Sequence, residues 1–407
     1  MNVTLRLKLS CSPETKKALK DTISQFTEAF NRAAKQAFAA KTTNGCSIHR
    51  MRYEQERSLT QLPSQLVCAM ISKTAEALSS VRALQKKHDL RVRKEPKKFK
   101  PKQLKCPQSL RQTVRYDGKR ASMVRLKEGW ATLASITGRQ TVRFSLPRNF
   151  NKYAEWKVCS SELVWDQKDR LFLHVVLDGE GKPFIPNGFV AGVDLGISRP
   201  AVMSTVDGKF NQFLGNRKWR AIESRTSNYR RILQCKGTKP ARRKLKILSG
   251  KVNRFRKECD HILSRRIVDS VPTGSVIVFE NLKDIRERCG KGKGRAQNGR
   301  MHRWSFDRLF EFVDYKATMA GIRIVKVDPR NTSRKCSKCG DVRKSNRQDQ
   351  SHFSCHACNL TLNADLNGAR NIAQKFASAG TPTEDGQSEL AQSRLTIERQ
   401  APAFRRG

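Results

Sequence analysis

The chain has 407 residues, more than one compact core accommodates, so two or three domains are expected. It carries 82 Lys and Arg against 36 Asp and Glu, a formal net charge of +46 that favours a long polyanionic partner such as a nucleic acid. A basic structural or ribosomal protein is the alternative that charge leaves open, whereas no apolar run approaches the roughly 20 residues of a membrane span.

The twelve cysteines include two Cys-x-x-Cys pairs, and the remaining eight are scattered through the chain. Scattered cysteines in a long chain are poor material for a disulfide framework, so a reducing, cytosolic setting is expected. The sequence after Met1 alternates like a strand and does not have the pattern of a signal peptide.

The N-terminal hundred residues predict one strand followed by helices. Apolar residues alternate from Val3 to Leu9, and Ser12-Pro13-Glu14 then supplies an N-cap, a first-turn proline and an early acid. Apolar residues from Leu19 to Phe38 follow at helical spacing. The same period predicts further helices over 48–60 and 64–88. The basic, proline-containing stretch 86–105 is either a solvated linker or a contact to a sugar-phosphate backbone.

Residues 110–180 contain short alternating strands and turns, which predict a small β-barrel with the opening strand as a candidate member. A different domain begins at Phe189, with a strand followed by a hairpin whose turn is Asp207-Gly208.

The rest of the chain predicts alternating helices and strands. The basic stretch 216–270 is helical with a break at 236–240, and 275–279 is a buried strand. A helix over 304–320 ends at Gly321, a strand follows from 322, and another helix runs from 365 to about 376. The glycine- and lysine-rich segment 290–300 is expected to be mobile, and the polar stretch 379–407 to be a disordered tail.

Four cysteines form the most specific motif in the chain. Cys336 and Cys339 make one pair, Cys355 and Cys358 the other, and fifteen residues separate the pairs. Two such knuckles together offer the four thiolates that tetrahedral Zn²⁺ prefers, and a closed four-Cys site braces a fold and does not catalyse. Gly340 and Asn359 follow the second cysteine of each knuckle, and both residue types tolerate the left-handed conformation that this turn favours. His352 and His356 are interpreted as bystanders.

Three acids lie at the edges of predicted elements: Asp194 and Glu280 follow apolar strands, and Asp365 begins a helix. Taken singly, each has an ordinary explanation: a turn for Asp194, a helix cap for Glu280 and an N-cap for Asp365. Gathered together, they would repel each other unless they held hard cations such as Mg²⁺, and paired metals on carboxylates cut phosphodiesters.

Five segments occur in a fixed order along the chain. They are Gly192-Val-Asp194-Leu-Gly196, Phe279-Glu280-Asn-Leu282, Tyr315-Lys-Ala317, Asp328-Pro-Arg-Asn-Thr-Ser333 with the first cysteine pair, and Asn363-Ala-Asp365-Leu-Asn-Gly-Ala-Arg-Asn371-Ile372. This order resembles TnpB, the transposon-encoded RNA-guided nuclease that is related to compact type V CRISPR nucleases. The resemblance is specific over about 189–376, and over 1–185 it depends only on size, element order and charge.

The resemblance implies an α+β multidomain fold. It comprises a wedge β-barrel (1–10 and 106–186), an inserted helical recognition module (11–105), an RNase H-like RuvC domain (187–330 and 361–378) and a zinc-finger insertion (331–360).

The resemblance also implies a function: cutting of DNA that pairs with a bound guide RNA, next to a short flanking motif. Asp194, Glu280 and Asp365 would hold two catalytic Mg²⁺ ions, and Cys336, Cys339, Cys355 and Cys358 would hold one structural Zn²⁺. The partners would be guide RNA and double-stranded target DNA, for a cytoplasmic protein expected to be a monomer.

One position departs from the family. Many TnpB sequences have an acid where this chain has Asn363, two residues before Asp365. Relatives in the CRISPR branch share the Asn-Ala-Asp pattern of this chain, so Asp365 is kept as a catalytic candidate. The departure leaves open whether the chain is a transposon TnpB or a small CRISPR effector. The rival hypotheses are an RNA-guided repressor without nuclease activity, and an RNase H-fold transposase or resolvase.

Overall fold

The computed structural model describes residues 1–110, 113–117, 121–147, 150–196, 199–282, 306–349 and 351–378. The glycine- and lysine-rich segment 290–300, the predicted helix start at Trp304 and the predicted tail 379–407 lie outside these residues. The chain divides into two compact units, Met1–Glu180 and Gly181–Gly407. None of the described helices combines the length and the apolarity that crossing a membrane requires.

The first unit combines strands with long helices. Its strands are β1 (Asn2–Ser10), β2 (Thr113–Asp117), β3 (Ser122–Arg125), β4 (Trp130–Ser135), β5 (Gly138–Phe144), β6 (Lys157–Trp165) and β7 (Leu171–Asp178). Its helices are α1 (Pro13–Ala39), α2 (Gly45–Leu59) and α3 (Ser64–Lys94), and a short 3₁₀ helix spans Phe150–Tyr153.

The seven strands form one sheet in the order β2-β6-β7-β1-β5-β4-β3, and all of its pairings are antiparallel. Its two edges approach each other, since the Oγ atoms of Ser122 on β3 and Ser161 on β6 lie 3.0 Å apart. The buried Tyr116 hydroxyl on β2 also donates to the carbonyl of Ala134 on β4, at 3.1 Å. The sheet is therefore nearly closed, and the opening strand belongs to it, as predicted.

The helices of this unit share one apolar core with the sheet. Leu7 and Val175 enter that core from strands, and Phe26 and Met70 enter it from helices. The predicted start of α1 is confirmed, because the Ser12 hydroxyl accepts a hydrogen bond from the Thr15 backbone at 3.2 Å. Helix α3 runs past the predicted end at 88 to Lys94. No proline lies between residues 64 and 95, and the first one after the helix is Pro96.

The second unit contains a mixed sheet, helices and a cysteine-rich loop. Its strands are β8 (Val190–Asp194), β9 (Ala201–Thr205), β10 (Asn211–Leu214), β11 (Val276–Glu280), β12 (Arg323–Val327), β13 (His352–Ser354) and β14 (Thr361–Asn363). Its described helices are α4 (Arg217–Lys236), α5 (Lys239–Asp269), α6 (Phe306–Ala320) and α7 (Ala364–Ser378), with a 3₁₀ turn at Lys344–Asn346.

Five of these strands form a sheet in the order β10-β9-β8-β11-β12. Strands β8, β9 and β10 are antiparallel neighbours, whereas β11 runs parallel to both β8 and β12. Helix α6 ends before Gly321, whose φ is +68°, and β12 begins two residues later, as predicted. The small β13–β14 hairpin lies in the cysteine-rich loop.

Both faces of the five-stranded sheet are covered by helices, which explains the continuous apolar run of β11. Ile277 and Phe279 pack on one face in a core that includes Leu263 of α5 and Val313 of α6. Val278 points to the other face, where it packs against the apolar side of α7. The alternation expected of a strand therefore places successive residues in two different cores.

Helix α7 lies so close to β8 at Gly192 that the strand has no room for a side chain at this position. A Cβ atom built on Gly192 would lie 2.1 Å from the Ala369 carbonyl oxygen and 2.6 Å from the Ala373 nitrogen. These are backbone atoms of a regular helix, so they have little freedom to move aside. Glycine at this position therefore fixes how near the helix lies to the strand.

We expect Gly192→Ala to destabilise the second unit by about 1–3 kcal/mol, because the methyl group overlaps the α7 backbone. Thermal unfolding checks this, with Gly45→Ala as the matched control, since a Cβ there would meet only the Ala75 side chain, at 3.9 Å. Equal melting of the two variants would contradict the close contact between strand and helix.

Candidate functional site

The structure brings Asp194 and Glu280 to the same edge and face of the sheet. They are the last residues of β8 and β11, which run parallel with Val193 paired to Phe279. Since Val193 and Phe279 point into the core beside α5 and α6, the next residue on each strand points to the α7 side. Two strand ends therefore present neighbouring carboxylates toward one helix.

Asp365 joins them from the first turn of α7. Gly368, about one turn further along the helix, contacts Asp194, since a Cβ atom built on Gly368 would lie 2.7 Å from Asp194 Oδ2. The first turn of α7 therefore lies at the same end of the sheet as Asp194. Helix α7 then continues past Gly192 toward the start of β8. All three predicted acids thus converge, although they are 86 and 85 residues apart in sequence.

The three carboxylates act on each other electrostatically. Burial, followed by the charges of Glu280 and Asp365, raises the pKa of Asp194 to about 8. Burial also raises the pKa values of Glu280 and Asp365. No described residue donates a hydrogen bond to Asp194. An acid that is buried, surrounded by like charges and without donors is suited to bind a cation.

The spacing of the acids is looser than that of the cysteines. Among the described residues, the four cysteines are the one set of three or more Cys, His, Asp or Glu residues whose ligand atoms are close enough for a common ion. The charges of Glu280 and Asp365 both act on Asp194, but the three acids do not form so compact a cluster.

Arg347 is a member of the site that the sequence did not identify. It lies in the loop between the two cysteine pairs, and its Nη2 is 3.7 Å from Asp365 Oδ1. Its positive charge lowers the pKa of Asp194, Glu280 and Asp365, in each case against the larger effect of burial. Its position depends on the folding of the loop, so spacing in the sequence gave no signal for it.

Asn363 has a defined role that an aspartate could not fully replace. Its Oδ1 accepts hydrogen bonds from the backbone nitrogens of Asp365 at 3.1 Å and Leu366 at 3.4 Å, so it caps α7. Its Nδ2 donates to the Ser351 carbonyl at 3.0 Å, a bond that a carboxylate cannot make. The capping role weighed for Asp365 therefore belongs to Asn363, which leaves the Asp365 carboxylate available.

The four cysteines form the compact cluster that their spacing predicts. Their Sγ atoms all lie within 4.8 Å of one another. Gly340 and Asn359 have φ values of +80° and +54°, as predicted, and each donates its backbone N–H to the first cysteine of its pair at 3.0 Å. Four convergent thiols fit a zinc ion. Neither predicted bystander, His352 or His356, belongs to the cluster.

A basic surface lies on the α4–α5 hairpin. Residues 217–269 contain 18 Lys and Arg against four acids, and Leu233 is the one buried side chain among those described on α4. Arg256 and Glu223 connect the two helices at 2.8 Å. Such a surface suits a sugar-phosphate backbone.

Lys316, in the Tyr315-Lys-Ala317 motif, is structural. Its Nζ donates to the His261 carbonyl at 2.7 Å and to the Ser264 hydroxyl at 2.5 Å, so it links α6 to α5. Burial lowers the pKa of Lys316 to about 8. Its partners are on α5 and not among the three acids.

We expect Asp194→Asn to raise the melting temperature of the magnesium-free, zinc-retaining protein by about 3 °C at about pH 8.5. The folded pKa of Asp194 lies above its unfolded value, so ionisation costs stability that accumulates from about pH 4 to about pH 8. Asparagine avoids that cost. The gain should shrink at about pH 5.5, and Glu311→Gln, on the exposed side of α6, serves as control. A gain that is independent of pH would contradict the prediction.

Cys339→Ser should lower the zinc content well below about one ion per chain and lower the melting temperature, because three thiolates hold zinc less tightly than four. Metal analysis and calorimetry on the full chain check this. Cys235→Ser, an exposed cysteine on α4, is the matched control. Unchanged zinc content and melting in Cys339→Ser would refute a structural zinc site.

A family model described as "Cas12f1-like, TNB domain" matches residues 306–372. That range covers α6, β12, the cysteine loop and the start of α7, and so includes Arg347 and Asp365. It does not include Asp194 or Glu280.

Three curated relatives match longer parts of the chain. The CRISPR-associated endodeoxyribonuclease Cas12f1 of Sulfoacidibacillus thermotolerans is 32% identical over 241 residues, 54% of this chain and 54% of its own. The putative RNA-guided DNA endonuclease InsQ of Escherichia coli is 27% identical, over 52% of this chain and 57% of its own. A TnpB-like protein of Methanocaldococcus jannaschii is 31% identical, over 40% and 59%. The matches span about half the length of these relatives.

A solved Cas12f1–sgRNA–target DNA complex has a similar fold, with a TM-score of 0.58 and 16% identity, over 92% of this chain and 98% of that one. The chain therefore has a mixed α/β, Cas12f-like fold with a nearly closed seven-stranded sheet and a four-cysteine cluster. Together these similarities confirm the resemblance to TnpB and its compact CRISPR-associated relatives that the sequence motifs indicate.

Proposed function

We propose that this chain is an RNA-guided, Mg²⁺-dependent DNA endonuclease whose site is formed by Asp194, Glu280 and Asp365. The observation that carries the proposal is the convergence of these acids at two parallel strand ends and one helix start. The relatives named as RNA-guided or CRISPR-associated DNA endonucleases support the same activity.

The sheet supports the proposed domain assignment. An order of β10-β9-β8-β11-β12, antiparallel through β8 and parallel from there, supports the RNase H fold in its RuvC arrangement. Strand β8, which ends in Asp194, is the central strand of this sheet, and β11, which ends in Glu280, lies parallel beside it. The nearly closed sheet with α1–α3 supports the wedge barrel and recognition module of the predicted organisation.

The donor set fits magnesium. Carboxylate oxygens are the ligands that this hard cation prefers, and within the part of the chain that the structure describes no group donates a hydrogen bond to Asp194. When bound, magnesium would neutralise charge developing on the scissile phosphate and make water a stronger nucleophile at neutral pH. The chain itself contributes the rigid strand ends that hold Asp194 and Glu280, and the capped helix start that holds Asp365.

The positive surface supports guide and target binding. Recognition of the target sequence would be left to base pairing with the guide, while Lys and Arg of α4 and α5 contact phosphates irrespective of sequence. Affinity that depends on such contacts falls steeply with salt. The zinc-type cluster would stabilise the fold next to the acids and take no part in the chemistry.

The test is to purify the chain together with RNA from its own genomic locus, sequence that RNA, and offer matching DNA with a randomised flank. We expect cleavage that requires both the RNA and magnesium. Asp194→Ala, Glu280→Gln and Asp365→Asn should each lower cleavage by more than the roughly 10–100-fold that loss of an outer-shell partner costs. Binding of RNA and target should persist, since these acids contact the cation and not the bases.

Glu311→Gln, an exposed helix position, is the control and should cut like the parent chain. Target binding without cleavage by the parent would favour the RNA-guided repressor instead. Cleavage of branched DNA without RNA would favour the resolvase alternative.

A further inference from the structure

The turn between β12 and the first cysteine pair lies against Glu280. Thr332 in this turn is 1% exposed, and its hydroxyl donates a hydrogen bond to Glu280 Oε1. No other described residue donates a hydrogen bond to Glu280. The Thr332 oxygen also lies 2.9 Å from the Pro329 carbonyl. The hydroxyl therefore restrains one oxygen of the carboxylate and leaves the other for a cation.

Helix α7 holds the backbone of this turn through two buried amides. Asn371, 1% exposed, donates through Nδ2 to the carbonyls of Thr332 at 2.8 Å and Lys335 at 2.6 Å. Asn367, 0% exposed, donates to the Lys335 carbonyl at 2.8 Å and accepts from the Ser337 nitrogen at 3.0 Å. The helix that carries Asp365 thus also fixes the backbone that carries Thr332.

The cysteine cluster fixes the other end of the same turn. Cys336 follows Lys335 directly, is fully buried, and donates its N–H to the Asp341 carbonyl at 2.8 Å within its knuckle. Thr332 is therefore four residues from a cluster ligand and one hydrogen bond from Glu280. Asn367 and Asn371 are buried polar side chains on an otherwise apolar helix face, and the turn accounts for their placement.

We propose that Thr332 is a positioning residue for Glu280, and that the cysteine loop, held by Asn367 and Asn371, thereby sets Glu280 relative to Asp365. The inference rests on the proposed function, since it concerns the same acids. A carboxylate that is free to rotate loses conformational entropy on binding a cation, and a partner that already orients it reduces that cost. The loop would thus contribute to cation binding without a ligand of its own.

The test measures Mn²⁺ binding to the full chain by calorimetric titration, with guide-dependent cleavage measured in parallel over a range of Mg²⁺ concentrations. Thr332→Val keeps the shape of the side chain and removes the hydroxyl, whereas Thr332→Ser keeps the hydroxyl. We expect Thr332→Val to weaken Mn²⁺ binding and to raise the Mg²⁺ concentration needed for half-maximal cleavage, each about tenfold. Thr332→Ser should stay within about twofold of the parent.

Thr361→Val, at an exposed position on β14, is the matched control and should bind Mn²⁺ like the parent. Zinc content and melting should be unchanged in the valine and serine variants. If Thr332→Val loses zinc, Thr332→Ala provides the same comparison without the added methyl group.

Parent-like Mn²⁺ binding in Thr332→Val would overturn the inference while leaving the nuclease intact. Equal weakening in the valine and serine variants would also overturn it, because the hydroxyl would then be irrelevant. Asp194→Ala distinguishes failure of this inference from failure of the proposed function. It should abolish cleavage whether or not Thr332 positions Glu280. If Asp194→Ala cuts like the parent, the proposed nuclease function fails.

Discussion

The close contact between helix α7 and strand β8 is the constraint on which the second unit depends. At Gly192 the helix backbone occupies the space that a side chain on the strand would fill, and at Gly368 the helix leaves room for the Asp194 carboxylate. Because both glycines lack a Cβ, the start of the helix lies directly over the ends of two parallel strands. Asp365 reaches the other two acids by this geometry alone, with no long or flexible side chain required.

That arrangement carries an electrostatic cost, since three carboxylates are partly removed from water and face one another. Three features of the chain offset it. Arg347 approaches Asp365 from the cysteine loop, the positive end of the α7 helix dipole faces the acids, and the apolar packing of Ile372 and Phe376 holds the helix in place. Functional sites commonly lower the stability of the folded protein, and repulsion among carboxylates that bind a cation is one way in which they do so. Arg347 lies between the two cysteine pairs and Thr332 lies just before the first pair, so segments on both sides of the first cysteine pair contact the acids.

Much of this could be predicted from residue patterns. Hydrophobic periodicity identified β1, β11 and α1, and the spacing of Cys336, Cys339, Cys355 and Cys358 identified a closed cluster down to the left-handed Gly340 and Asn359. The three acids were found because each ends or begins a regular element. Arg347 and Thr332 could not be found in this way, because irregular loop backbone places them, and neither periodicity nor motif spacing encodes a loop path. The capping role of Asn363 was missed because Asn363 and Asp365 are both residue types that cap helices, and only the folded backbone shows which of them does so.

The proposed nuclease site requires that Asp194, Glu280 and Asp365 bind cations at one centre. The most direct measurement is the anomalous scattering of Mn²⁺ in crystals of the chain grown with that ion. We expect an anomalous peak that is coordinated by carboxylate oxygens from all three residues, with the acids closer together than in the protein without the ion. Mn²⁺ that binds only elsewhere on the chain would contradict a shared cation centre. So would a peak from which any of the three acids is turned away.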